Sequence, residues 1–446
     1  MNDNLKQRIE ELKMKNATQQ LNIIGRILVD NREMTLWEHD TRLLPRGAAK
    51  WRRKALKFAR EEIRPRAPEA DIDPHNFDPV PLLRASAKKG FQTLVFPRPF
   101  GTANMNSLLK GLSLQVAVIG EEFAAECGGL CLLLLAHNLG IVPLILSGHI
   151  PTYFRHFLPF YFKTKYLGSP STMAFAITEP EAGSDVEDTD GGATAKLCTT
   201  AKPFMNGYIL NGTKVFISGG GIADKVTVYA KIEGRGIESW TCFLVEKGMK
   251  GFSVGRKERK MGQRACDAAE LIFEDVYVPK RNVIGKISSG WPNNRNVLNY
   301  SRPCVGAMAL GHGRGAFERA LEFSRKTTLG GKRLIDYQDV QYELADMIIS
   351  LWSARTMIWH SCSQTRAYQS ASSAAKVFAS DTAVKVCNQA MELMGDHGYM
   401  HSSGVERLWR DSRLTQIYEG TNQVNRLAIM EHQWDVEIDK SVLGYE

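Results

Sequence analysis

Near its C-terminus the chain sets a carboxylate beside a glycine, in Gln416-Ile417-Tyr418-Glu419-Gly420-Thr421-Asn422-Gln423. A glutamate among apolar neighbours is poorly solvated, which makes it a strong base. Glycine lets the backbone bend and a ligand come close, and Thr421 and Gln423 offer hydrogen bonds to something polar. The same stretch also reads as a helix N-terminus, with Glu419 favoured by the helix dipole and Thr421 as the cap. A second stretch, Phe175-Ala176-Ile177-Thr178-Glu179-Pro180-Glu181-Ala182-Gly183-Ser184-Asp185, is a β-rich run ending in a loop with hydroxyls and free amides. Such a loop suits a polar, planar ligand, or is a capped turn. A third runs Lys214-Val215-Phe216-Ile217-Ser218 into a glycine cluster, where an aromatic in a strand reads as core. Leu298-Asn299-Tyr300-Ser301-Arg302-Pro303 opens a helical stretch in which Arg302, taken alone, reads as solvated.

Three textures of chain must position these groups. Residues 1–45 form a leader in which Leu5, Ile9 and Leu12, then Ile24, Ile27 and Leu28, recur at helical spacing. From 46 to about 172 the pattern is helical, with apolar faces such as 112–123 and turn clusters at 97–102 and 149–152. Its basic run of Lys50, Arg52, Arg53, Lys54, Lys57, Arg60 and Arg64, interleaved with Trp51, Leu56, Phe58 and Ile63, reads as a solvated helix face. Docking on an acidic partner or a membrane surface is the alternative. At Met173 short alternating runs begin, predicting strands at 208–217, 225–232, 241–246 and 271–278, with Asn211-Gly212 as a hairpin turn. After Pro279 and Gly285 the helical pattern returns and holds to about 436.

With 43% hydrophobic and 24% charged residues, the 446-residue chain has the composition of a soluble protein. A net charge of +9 suits anionic ligands, and no zinc-finger, helix-turn-helix or RNA-binding motif points to nucleic acid. Of eight cysteines only Cys127 and Cys131 lie close together, so neither a metal site nor a disulfide framework is expected, and a reducing, cytoplasmic setting is. Asp3, Glu10 and Glu11 in a polar start argue against a secretory or mitochondrial leader. The apolar run 128–148 is expected to be broken by His137, Asn138, Gly140 and Pro143 into buried core helices, not to span a membrane.

Taken together, these stretches resemble the acyl-CoA dehydrogenase family over roughly residues 50–435, with Met261-Gly262-Gln263-Arg264 and Glu270-Leu271-Ile272-Phe273-Glu274-Asp275-Val276-Tyr277-Val278-Pro279 as further, mainly architectural matches. The resemblance implies an α+β fold: an N-terminal α-helical domain (46–172), a central β-domain (173–285) and a C-terminal four-helix bundle (286–446). It implies FAD-dependent α,β-dehydrogenation of an acyl-CoA to the 2-enoyl-CoA in fatty acid or organic acid catabolism, with electrons passed to an electron-transfer flavoprotein. Glu419 matches the catalytic base. Phe175, Ile177, Thr178, Phe216, Ser218, Thr421 and Gln423 match flavin-site positions, with Phe216 and Ser218 replacing the usual Trp and Thr. Ser184, Tyr300, Arg302, Tyr418 and Gly420 match substrate positions. Some members carry the base at position 301, so Ser301 leaves Glu419 as the one candidate. Leu130 matches the position of an arginine in glutaryl-type members, which lowers the expectation of a dicarboxylyl substrate.

The family also has a cradle serving the neighbouring subunit's FAD, and this chain departs from it. Thr327 and Gly330, followed by Gly331, stand where Arg and Phe belong, Glu392 stands for Gln and Asp396 for Gly. An acid beside a pyrophosphate is unfavourable, although Arg325, Lys332 or Arg333 could compensate. Two assemblies follow as expectations: a homodimer or homotetramer, or a heteromer with a related subunit. An acyl-CoA oxidase, a lyase of the same fold, and a flavin-poor partner subunit are the alternative activities.

Overall fold

The computed structural model of the chain describes residues 7–9, 11, 24, 28, 34–95, 101–103, 112–148, 150–166, 170–187, 189–431 and 433. Met1–Ala49 and Lys50–Glu446 are two separate units. In the first, Ile9, Ile24 and Leu28 are helical, while Leu5, Leu12 and Ile27 lie outside the described residues. Its helix α1 (Leu36–Leu43) starts at a capping box: Glu38 N donates to Thr35 Oγ1 at 3.3 Å, and Thr35 N donates to Glu38 Oε2 at 2.9 Å.

The second unit takes α2 (Arg46–Phe58) from Lys50 onward, then α3 (Ala67–Ile72), α4 (Val80–Lys88), α5 (Leu112–Ala124), α6 (Gly128–Leu146) and α7 (Ile150–Tyr166). The basic run on α2 departs from the solvated face expected of it. Arg53, Lys57 and Arg60 are exposed, but Arg52 is fully buried, donating from Nε to Glu122 at 2.9 Å and from Nη2 to Glu121 at 3.0 Å. Arg64, just beyond, binds Glu126 through two nitrogens at 2.7 and 2.8 Å. Acids on α5 and in the turn after it thus capture part of the run. The turn expected at 149–152 is also absent where described, since Ile150 already begins α7. Of the cluster at 97–102, only Gly101 and Thr102 are among the described residues.

The run 128–148 is one continuous 19-residue helix rather than broken pieces. By length and a mean hydropathy of 2.2 it could cross a membrane, yet 67% of it is buried inside the fold, as in a core helix. Gly140 is there for close approach, not to break the helix: a Cβ would come within 2.9 Å of the Ala174 carbonyl on the adjoining strand. Gly140→Ala should therefore destabilise the protein by about 1–3 kcal/mol. A lowered urea midpoint with an unchanged slope checks this.

The strands are β1 (Met173–Ala176), then after helix α8 (Thr189–Thr194) β2 (Thr200–Phe204), β3 (Gly207–Ser218), β4 (Lys225–Ile232), β5 (Thr241–Glu246), β6 (Phe252–Lys257), β7 (Ala268–Pro279) and β8 (Val283–Ile284). The sheet order is β6-β7-β3-β2-β4-β5-β8, with β1 added parallel to β4. All four predicted strands are present, but Asn211-Gly212 is not a hairpin turn. β3 runs straight through it, and the register against β7 slips between Leu210 and Gly212, a bulge. The hairpin closes earlier, at Met205-Asn206, where Phe204 pairs with Gly207. Alternating residues of β3, β4, β5 and β7, such as Leu210, Val228, Phe243 and Phe273, fill the sheet's own core.

The C-terminal bundle is α9 (Gly290–Lys326), α10 (Gln338–Cys362), α11 (Gln369–Met394), α12 (Val405–Leu414) and α13 (Asn422–Met430). Its helical run is not unbroken. A two-stranded hairpin, β9 (Thr328–Leu329) with β10 (Lys332–Arg333), projects between α9 and α10.

Candidate active site

Three structures converge on one cavity of about 460 Å³: the inner face of α6, the loop after β1 with the end of β3, and the start of α9 facing Ile417–Gly420. That size falls within the usual range for small-molecule sites. The loop after β1 is pinned rather than free. Fully buried Lys214 donates to the Ile177 carbonyl and to Glu179 Oε1, both at 2.8 Å, and Val215 N donates to the Thr178 carbonyl at 2.9 Å. Burial pushes Lys214 below its usual range against the pull of Glu179. Ile177 and Thr178 are thereby held on the cavity wall beside Phe175, Phe216 and Ser218. Phe216 is distinctive: it is 60% exposed and sits at φ +59°, a conformation rare for a bulky residue. An aromatic face held open by strained backbone, with the Thr178 and Ser218 residues on the same wall, is suited to a flat, hydrogen-bonding partner.

Glu419 lines the same cavity and is also left-handed at φ +57°, followed by Gly420 at +80°. Two consecutive left-handed residues reverse the chain, and Asn422 N donates back to the Gln416 carbonyl at 3.0 Å. The strain is held by several bonds. Arg302 Nε and Asn425 Nδ2 each donate to the Glu419 carbonyl at 3.3 Å, while Lys376 Nζ and Asn425 Nδ2 each donate to the Gly420 carbonyl at 2.8 Å. Ser301 Oγ donates to Glu419 Oε2 at 2.6 Å. Burial, against the stabilising effects of Ser301, Arg302 and Lys376, raises the Glu419 pKa above the usual carboxylate range. Among the described residues no acceptor takes the Glu419 N–H.

Of the residues singled out in the sequence, Glu419, Tyr418, Gly420, Tyr300, Ser184, Phe175, Ile177, Thr178, Phe216 and Ser218 line this cavity. Arg302, Thr421 and Gln423 do not. Arg302 is buried behind the Glu419 turn. Thr421 caps α13, accepting from Val424 N at 3.3 Å, and its own N–H reaches Ser184 Oγ at 3.2 Å, tying two of the stretches together. Gln423 is exposed on α13. The helix-cap reading of Thr421 is therefore correct alongside the reading of Glu419 as a cavity carboxylate. Leu130 is fully buried and off the cavity wall, so it says nothing about the acyl group. Sequence reasoning missed Glu187, which lines the cavity, and Lys376, which holds the turn from α11. The spacing of Ser373, Lys376 and Ser380 on one helix face, small residues around a lysine, was the available signal for the latter.

The family models described as acyl-CoA dehydrogenase N-terminal, middle and C-terminal domains match residues 48–151, 174–276 and 288–433. The chain belongs to the acyl-CoA dehydrogenase family. Cyclohex-1-ene-1-carbonyl-CoA dehydrogenase of Syntrophus aciditrophicus is 35% identical over 378 residues, covering 83% of this chain and 86% of the relative. The caffeyl-CoA reductase-Etf complex subunit CarC of Acetobacterium woodii is 32% identical over 383 residues, covering 85% and 96%. The structure of butyryl-CoA dehydrogenase from Megasphaera elsdenii superimposes with a TM-score of 0.79 at 28% identity, covering 88% of this chain and 99% of that one. As an acyl-CoA dehydrogenase the chain is an FAD-dependent oxidoreductase acting on acyl-CoA, and the strained Phe216 with Thr178 and Ser218 fits the flavin ring.

Proposed function

We propose that this acyl-CoA dehydrogenase oxidises an uncharged acyl-CoA to its 2-enoyl-CoA, with Glu419 as the base and an electron-transfer flavoprotein as redox partner. The observation that carries the reading is the buried Glu419 carboxylate, fixed on strained backbone in the same cavity that Phe216 lines. Removing an α-proton from a thioester is hard because only the carbonyl stabilises the carbanion. Glu419 takes that proton, and its N–H polarises the thioester oxygen, a role supported by its having no acceptor among the described residues. FAD supplies the acceptor for the β-hydrogen as hydride. Phe175, Ile177, Thr178, Phe216 and Ser218 hold the flavin ring. Ser184, Tyr300, Tyr418 and Gly420 line the path of the substrate, with Arg302 acting from behind the turn.

The charged residues on the cavity wall are Glu187 and Glu419, and no Lys, Arg or His among the described residues joins them. A second carboxylate on the acyl group would find no counter-ion among these described residues, which supports an uncharged acyl group. Leu132, Leu135, Leu139 and Val142 of α6, with Val305 and Met308 of α9, supply the apolar end. The CarC relative supports the electron-transfer partner, and it is named a reductase, so net direction follows from the redox couple and not from the fold. We take 46–172, 173–285 and 286–446 as the three domains after a leader 1–45. A cytoplasmic setting is supported by eight free cysteines.

A second reading, a flavin-poor partner subunit of a heteromer, is favoured by one surface. Glu392 and Asp396 stand exposed at cradle positions, and Glu343 is pushed up by burial and by the charge of Glu392. The absorption spectrum of the chain purified alone separates the two readings. Stoichiometric bound flavin that bleaches anaerobically with a monocarboxylic acyl-CoA, and not with glutaryl-CoA, is the expected result. A folded, colourless protein that gains flavin only with a related chain would favour the heteromer.

A further inference from the structure

We propose that Glu187 is a positioning residue for the reaction: a second carboxylate that engages Arg302 behind the base, fixes the Glu419–Gly420 turn through it, and offsets the guanidinium's charge so that the Glu419 carboxylate is not over-stabilised. The proposal rests on Glu419 being the base. Arg302 has three occupied arms: Nε to the Glu419 carbonyl at 3.3 Å, Nη1 to Ser373 Oγ at 3.1 Å, and Nη2 to Glu187 Oε2 at 3.1 Å. Glu187 ends the 3-10 turn Ser184–Glu187 with its side chain 5% exposed. It packs directly on the catalytic turn, since a Cβ on Gly420 would fall 2.2 Å from Glu187 Oε2. A buried carboxylate in this place needs a counter-charge, and the nearest one is the guanidinium that also grips the base's backbone.

The consequence is electrostatic. While Glu187 is ionised, Arg302 and Glu187 form a near-neutral pair behind Glu419. With Glu187 neutralised, the whole guanidinium charge acts on Glu419, stabilises its carboxylate and weakens it as a base. The other groups facing this hub are Lys376 and Asp381 from α11, Cys304 from α9, and Tyr418. Burial, ahead of the attraction of Arg302 and the repulsion of Glu419, pushes Glu187 up to about 7. Burial brings Lys376 down to about 7 against the pull of Glu187 and Glu419. Tyr418 is pushed up by burial, and Cys304 by its bond to Cys362 and by burial, so both stay protonated across neutral pH.

The test uses the flavin-loaded enzyme and two readouts. The first is the acidic limb of the pH profile of kcat. The second involves no redox step: a 3-oxoacyl-CoA passes its acidic α-proton to the Glu419 carboxylate and stays bound as the enolate. Because Glu187 takes up its proton first, near pH 7, the wild-type limb begins there. Glu187→Gln should remove that step, moving the limb down by about one pH unit to the ionisation of Glu419, and weaken the 3-oxoacyl-CoA about tenfold above pH 7. Glu187→Asp, which keeps the charge, should leave the limb near its wild-type position. Wild-type affinity for the same ligand should follow two linked ionisations across neutral pH, a measurement that needs no variant to fold. An unmoved limb in Glu187→Gln, an equal shift in Glu187→Asp, or a single wild-type ionisation would overturn the proposal. Failure of the underlying assignment looks different: Glu419→Gln would then keep its turnover, whatever Glu187 does.

Discussion

Glu419→Gln should retain fold and flavin while kcat falls by about 10²–10⁴-fold, the usual contribution of a general base. The substitution is nearly isosteric, so the turn keeps its clamps from Arg302, Asn425 and Lys376, all of which act on main-chain carbonyls. The amide oxygen can still accept from Ser301. What disappears is the one group in the cavity with both the position and the basicity to take an α-proton. Glu187 cannot substitute, because its carboxylate is committed to Arg302. Stopped-flow reduction of the bound flavin by acyl-CoA isolates the step. Flavin content equal to wild type with reduction slowed by at least two orders of magnitude is the expected outcome. Reduction at the wild-type rate would remove Glu419 from the mechanism.

The strands were legible as short β-rich runs bounded by turn residues, and 225–232 and 241–246 match β4 and β5 residue for residue. Asn211-Gly212 misled because a bulge and a hairpin turn draw on the same residues, and only pairing with β7, sixty residues on, distinguishes them. Helix α6 misled for a related reason. Gly140 looks like a breaker locally, but its role is set by a strand that passes over it. In the site, Glu419 and the cavity-lining residues at 175–178 and 216–218 were readable from motifs, since they come from short contiguous runs. Their supports were not. Arg302 meets Glu187 across 115 positions, and Lys376 meets Gly420 across 44. A charged residue whose partner is that distant looks locally like any solvated one, and that is also why Arg52 was assigned to the surface.

That misassigned arginine belongs to the most consequential structural feature outside the site, and Glu121→Gln should cost about 3–5 kcal/mol of stability. Glu121 and Glu122 of α5 are buried among three arginines from α2, α9 and α10. Arg52 Nη2 lies 3.0 Å, Arg314 Nε 3.0 Å and Arg355 Nη2 2.8 Å from Glu121 Oε1. Arg314 Nη2 is 2.7 Å from Glu122. Removing one of two central charges leaves three guanidinia that burial has stripped of water and that repel one another. Burial opposes ionisation of Glu121, but Arg355, Arg52 and Arg314 together outweigh it and hold its pKa at about 2. Since the folded value lies below the ordinary 4.5, the stability it contributes is fully present above about 4.5 and lost as pH falls towards 2. Urea titrations of both proteins should therefore differ most at neutral pH and converge as pH drops from 4.5 to about 2. A gap independent of pH would mean that Glu121 contributes by shape and packing, and that the helices are joined by something other than its charge.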